Sequence, residues 1–177
     1  MCWQFSCTGE PVYLVVPASG RYRITAFGAN GSSSATGCRG GRGAEMGGVF
    51  TLLKGDRLVI SVGRAGLATS QGGGGSTVAL DEGDARVPLV IAGGGGGGGV
   101  GLPGGDGSPQ RFQPDEGNYA EADGRPGEIA GGHGGCSYLD DSMLPSIYTV
   151  QIRGGNVEDP AGHGLVRIVG STGGGAA

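Results

Sequence analysis

Apolar and polar residues alternate strictly along much of this chain. In RYRITAF, Tyr22, Ile24 and Ala26 fall on one face and Arg21, Arg23 and Thr25 on the other. A period of two is the mark of a β-strand with one buried face. DRLVISV groups Leu58, Ile60 and Val62; YTVQIR pairs Val150 with Ile152 and turns Thr149, Gln151 and Arg153 outward; GLVRIVG sets Val166 and Ile168 against Leu165, Arg167 and Val169. Shorter apolar runs at 3–6, 12–16, 47–53, 77–80 and 87–92 are further strand candidates. PASG bends the chain between two of them, and KGD at 54–56 reads as a tight hairpin. No glycine-free window carries the i, i+3, i+4 apolar spacing of a helix. About nine short antiparallel strands joined by tight turns predict an all-β chain, a β-sandwich of jelly-roll type.

Between the strands the pattern breaks down into glycine. The chain has 177 residues, and 44 of them are glycine, against a usual share of about 7%. The glycines concentrate at 28–43, at 70–76 and across 93–146, and the run Gly93, Gly94, Gly95, Gly96, Gly97, Gly98, Gly99 is unbroken. Strands are expected on both sides of 93–146, so that segment is expected to be an insertion within one domain spanning 1–177. Ordering a glycine backbone costs about 1–2 kcal/mol per residue, and there are few side chains to offset it by burial. Main-chain hydrogen bonds are the remaining source. In a polyproline II or polyglycine II type helix the N–H and C=O groups point outward, and helices lacking Cβ atoms can pack side by side and bond laterally. Seven glycines in that form span roughly 22 Å, about one strand length. The expectation is a bundle of such helices attached to the sandwich, with Gly93–Gly99 as structural residues.

Composition narrows the function classes. The net charge is −4, without the basic stripe expected of a nucleic-acid binder, so no nucleic-acid partner is expected. Residues 1–10 show no signal peptide. The uncharged stretch 87–105 is long enough to resemble a membrane span, but a glycine run leaves backbone groups unpaired in lipid, so no membrane insertion is expected. GGHGGCSYLDD gathers His133, Cys136, Ser137, Asp140 and Asp141. It reads better as a polar loop closing the glycine bundle than as a Cys–His nucleophile pair. No G-x-S-x-G elbow or P-loop occurs, and the carboxylates at 81–84, 115–116 and 140–141 match no calcium loop. No catalytic residue, cofactor or metal is therefore expected. Cys2 and Cys7 are roughly 16 Å apart along an extended strand, beyond disulfide reach. If the chain is exported, Cys7 is expected to pair with Cys38 or Cys136.

The blocks FSCTGEPVYLVVPASGRYRITAFGANG, GGRGAEMGGVFTLLKGDRLVISVG, GGGGSTVAL and VPLVIAGGGGGGG, in that order, resemble the glycine-rich domain family. That family includes the membrane-proximal ectodomain of the anaplastic lymphoma kinase and leukocyte tyrosine kinase receptors, and microbial and viral adhesin-like proteins. The resemblance covers roughly residues 3–107, and GHGLVRIVG near the end also fits. It implies a tumour-necrosis-factor-like sandwich carrying a polyglycine-helix bundle, with a non-catalytic role. This chain has no kinase and a shorter glycine insertion, so only the scaffold carries over. The expected function is a structural subunit of an extracellular or virion surface assembly, with copies of itself or other subunits as partners. The alternative is an adhesin domain that binds a cell-surface receptor or a glycan. The apolar start MCWQF is expected to lie against a neighbour or a sheet edge.

Overall fold

A computed structural model describes residues 1–111, 123–127, 131–132, 134–139, 149–151 and 161–171. Those residues form eleven strands and no helix: β1 (Cys2–Ser6), β2 (Val12–Val15), β3 (Gly20–Phe27), β4 (Glu45–Leu52), β5 (Arg57–Ser61), β6 (Ser76–Asp81), β7 (Arg86–Ala92), β8 (Ser108–Arg111), β9 (Cys136–Leu139), β10 (Thr149–Gln151) and β11 (Leu165–Ser171). One sheet has the order β1-β11-β3-β4-β10 and the other β2-β5-β6-β7-β9-β8. All pairings are antiparallel except the β8–β9 pair, which is parallel.

The alternation in β3 is realised as expected. Tyr22, Ile24 and Ala26 are buried, while Arg21 and Arg23 are exposed. Leu58 and Ile60 of β5, Phe50 and Leu52 of β4, Val78 of β6 and Ile168 of β11 meet them in one core shared by both sheets. Burying one apolar face of each sheet against the other is what makes the two layers stable. Val150 lies in β10; Ile152 and Arg153 lie outside the described residues.

The KGD turn differs from expectation. Its bonds are those of a tight turn: the Asp56 amide donates to the Leu53 carbonyl (3.1 Å), and Gly55 has φ +98°. Yet β4 and β5 do not pair; they belong to opposite sheets. The turn is a corner where the chain crosses between layers, because the buried faces of β4 and β5 must look at each other across the core. The strands β8 and β9, inside the glycine-rich segment, had no recognisable pattern in the sequence. Through β9, that segment adds to the edge of the six-stranded sheet.

Candidate functional site

Beyond β7 the chain enters Gly93–Gly99, and all seven glycines are buried. Their partners are main-chain groups of surrounding segments, met at intervals of three. The amides of Gly95 and Gly98 donate to the carbonyls of Ala29 and Ser32, both at 2.9 Å; those of Gly96 and Gly99 donate to Gly105 and Leu102. The carbonyls of Gly93 and Gly96 accept from Ala44 and Gly41, and those of Gly94 and Gly97 accept from Gly135 and Gly132. Gly73 and Arg125 supply further partners, at the Gly95 carbonyl and the Gly97 amide. The run is thus bonded on all sides, which answers how so many buried backbone groups are satisfied without a sheet or a helix ladder.

Such an approach tolerates no Cβ. A methyl carbon at Gly95 would land on the Gly41 carbonyl, and one at Gly98 on the Cys38 carbonyl, both inside 3.0 Å of backbone atoms. Glycine is required here for close contact rather than for an unusual φ, since no residue from 93 to 99 has positive φ.

Where the glycine segments meet the sheets, side chains take over as acceptors for backbone amides. Ser137 Oγ accepts from Gly93 (3.0 Å), Ser76 Oγ from Gly63 (2.9 Å), Asp106 Oδ1 from Arg42 (2.7 Å), Asp123 Oδ1 from Gly75 (2.7 Å) and His163 Nδ1 from Ala65 (3.0 Å). Ser76 also donates to the Phe27 carbonyl at 2.6 Å. Ser76, Asp106, Asp123 and His163 lie next to glycine in the sequence and Ser137 does not, and all five have partners at least 13 residues away, so their role was not legible from spacing.

At the other end of the glycine segments the chain turns in three connected tips. Thr36 Oγ1 donates to the Val100 carbonyl (2.8 Å), and the Ser70 amide donates to Ser33 (3.1 Å). Leu67, Val100 and Leu102 are exposed in these turns, at 64%, 61% and 58%. Leu67 also lines a cleft of about 340 Å³, together with Arg64, Gln71, Asp123 and Pro126, among others. A second cleft, of about 260 Å³, shares Arg64 and Leu67 and is completed by Cys7, Thr8, Gly9 and His163.

Of the cluster that raised the question of nucleophilic chemistry, the structure describes only the side chain of Ser137. Ser137 is fully buried and bonded to Gly93; His133, Asp140 and Asp141 lie outside the described residues, as do Asp115 and Glu116. Among the described residues no three His, Cys, Asp or Glu side chains come together as metal ligands. Asp81 instead pairs with Arg57 at 3.3 Å. Cys7, expected to pair with Cys38 or Cys136 if the chain is exported, carries a free thiol in this structure, as do Cys2 and Cys38. Cys7 and Cys38 have different surroundings: Cys7 lies beside Arg64 and His163, while Cys38 is held in a turn by Ser34 Oγ (3.1 Å). Cys136 lies in β9, and its side chain is outside the described part. Among the described residues no helix is long and apolar enough to cross a membrane. No protein-family model matches the chain, and no curated protein matches it.

Proposed function

We propose that this protein is a non-enzymatic structural subunit of an extracellular or virion surface assembly, built as a jelly-roll sandwich of the tumour-necrosis-factor type with a polyglycine helix bundle. The observation that carries this reading is the hydrogen bonding of Gly93–Gly99 to its neighbours at three-residue intervals. A three-residue helix with outward N–H and C=O groups has that period, and a Cβ-free interior lets such helices touch. The bundle stands as an extension of the sandwich made almost wholly of backbone. It has the character of a rigid spacer that sets loops at a fixed distance from the sheets. Membership of the glycine-rich domain family, suggested by the order of the sequence blocks, is part of the same proposal. Light scattering and sedimentation of the full chain across a hundredfold concentration range test it. Concentration-dependent oligomers are the expected result; a monomer at every concentration overturns it.

A second reading, an adhesin domain for a receptor or a glycan, is favoured by one observation. Leu67, Val100 and Leu102 are each exposed at the bundle's tips, and Leu67 lines the Arg64–Asp123 cleft. Exposed apolar groups beside polar ones mark contact surfaces. Labelled chain carrying Leu67→Asp and Leu102→Asp should then lose binding to cells or glycans while its oligomers persist.

A further inference from the structure

We infer that β1 is a self-pairing edge, at which a second copy of this chain adds its own β1 in antiparallel register centred on Gln4. The inference rests on the assembly reading above and names the partner and the contact. Met1 and Gly170 exchange both backbone bonds, N–H of Gly170 to O of Met1 at 2.9 Å and N of Met1 to O of Gly170 at 3.1 Å. Bonded and non-bonded pairs alternate along an antiparallel ladder. In the observed register Trp3 faces Ile168 and Phe5 faces Val166, so these are the next bonded pairs. The N–H and C=O groups of Cys2, Gln4 and Ser6 therefore point away from β11, and among the described residues β1 is the last strand of its sheet.

Natural edges are normally guarded by charge, proline or a bulge. The edge strand β2 of the other sheet follows Glu10 and Pro11, and Arg57 lies over its Tyr13 ring at 5.5 Å. By contrast, β1 has the sequence CWQFS, with no charge and no proline, and its pairing with β11 has no register shift. Its inner face is also incomplete: Trp3 and Phe5 pack on the core but are only partly buried. A second β1 satisfies both deficits. With Gln4 opposite Gln4 of the second copy, Cys2 faces Ser6 and Trp3 faces Phe5. Outward amides then meet outward carbonyls, and the two aromatic rims close on each other. Two chains of net charge −4 approach here without placing like charges opposite one another. The contact is isologous and merges two five-stranded sheets into one. A single pair of five-residue strands buries less than the ~1,200 Å² of a stable interface, so this contact is weak alone and a test must trap it.

The register makes the trap specific. In full-length chain carrying Cys7→Ser, the added substitution Ser6→Cys sets a thiol opposite Cys2 of the second copy, at a Cα separation of about 5.5 Å, within disulfide range. Mild oxidation should give a covalent dimer whose peptide map joins position 6 to Cys2. It should form at least about tenfold faster than any dimer from Thr51→Cys, which is exposed on β4 of the same sheet, away from β1. Adding Gln4→Pro removes an outward N–H and the exposed side-chain bond from Arg167 Nε to Gln4 Oε1 while leaving the β1–β11 backbone bonds intact, and should abolish the crosslink with an unchanged circular dichroism spectrum. If that spectrum changes, Gln4→Lys replaces it, placing like charges across the axis. Crosslinking no faster than with Thr51→Cys, a map joining other cysteines, or a crosslink that survives in a folded edge variant overturns the inference. Oligomers in light scattering without this crosslink overturn the edge alone; a monomer at every concentration without it overturns both readings.

Discussion

Ser137 Oγ accepts the amide hydrogen of Gly93 at 3.0 Å, where β7 gives way to the glycine run. Ser137 is fully buried and Gly93 is buried, so no water replaces the bond. Ser137→Ala leaves a buried N–H without its acceptor. The expected loss is about 1–3 kcal/mol, read from urea denaturation midpoints at unchanged m-value. Ser137→Thr, which keeps the hydroxyl, should recover part of it. A Ser137→Ala variant as stable as the parent would mean that Gly93 finds another acceptor.

The same assay addresses the strand register. Ile24 is fully buried in the shared core and lies opposite Ile168 and Gly48. Ile24→Ala should cost about 2–5 kcal/mol. Arg21, on the same strand and exposed, should lose less than about 0.5 kcal/mol when changed to Ala. Equal losses at the two positions would contradict a strand with one buried face.

These residues also show how far the sequence was legible. In β3 the two faces meet different surroundings, so alternation appeared directly in RYRITAF. In β6 the first four residues are all buried, so alternation is absent and only β-branched content and flanking glycines marked it. The strands β8 and β9 are four residues each, too short for any period. The KGD corner shows a different limit. Turn chemistry reveals that the chain reverses, but whether the next strand pairs with the last or crosses the core depends on which face each must bury. The glycine run was legible as a backbone-bonded element, because nothing else can hold it. Ser137 as the acceptor at its base was not, because its partner lies 44 residues away.

Close contact in the glycine segments separates two substitutions that look alike on paper. At Gly95 an added Cβ meets the Gly41 carbonyl and the Arg42 backbone inside 3.0 Å, whereas at Gly101 it meets nothing within 4 Å. Backbone held on several sides cannot give way as a flexible side chain would. Gly95→Ala should therefore cost more than about 4 kcal/mol, in the exceptional range for a point change, or prevent folding. Gly101→Ala should be neutral, or stabilising by about 0.4–1 kcal/mol through the unfolded chain. Thermal melts of the two variants, side by side, give the comparison, and a Gly95→Ala variant melting with the parent would refute close packing at that position.

Hydrogen exchange distinguishes a bonded glycine run from a tether without any substitution. In a flexible linker, glycine amides exchange with no protection, since nothing competes with water for them. Here the amides of Gly95, Gly96, Gly97 and Gly98 donate to Ala29, Gly105, Arg125 and Ser32 at 2.8–2.9 Å, and all four residues are buried. Exchange then requires an opening that breaks bonds to several segments together, so its free energy should approach that of global unfolding. Protection at 95–98 is expected to match that of Ile24 in β3 within about 1 kcal/mol, and to exceed that of the exposed tip at Val100. Ser137→Ala should lower protection at Gly93 first, and at Gly95–Gly98 only by as much as global stability falls. Rapid exchange throughout 95–98 while β3 remains protected would show that the run is not bonded in solution.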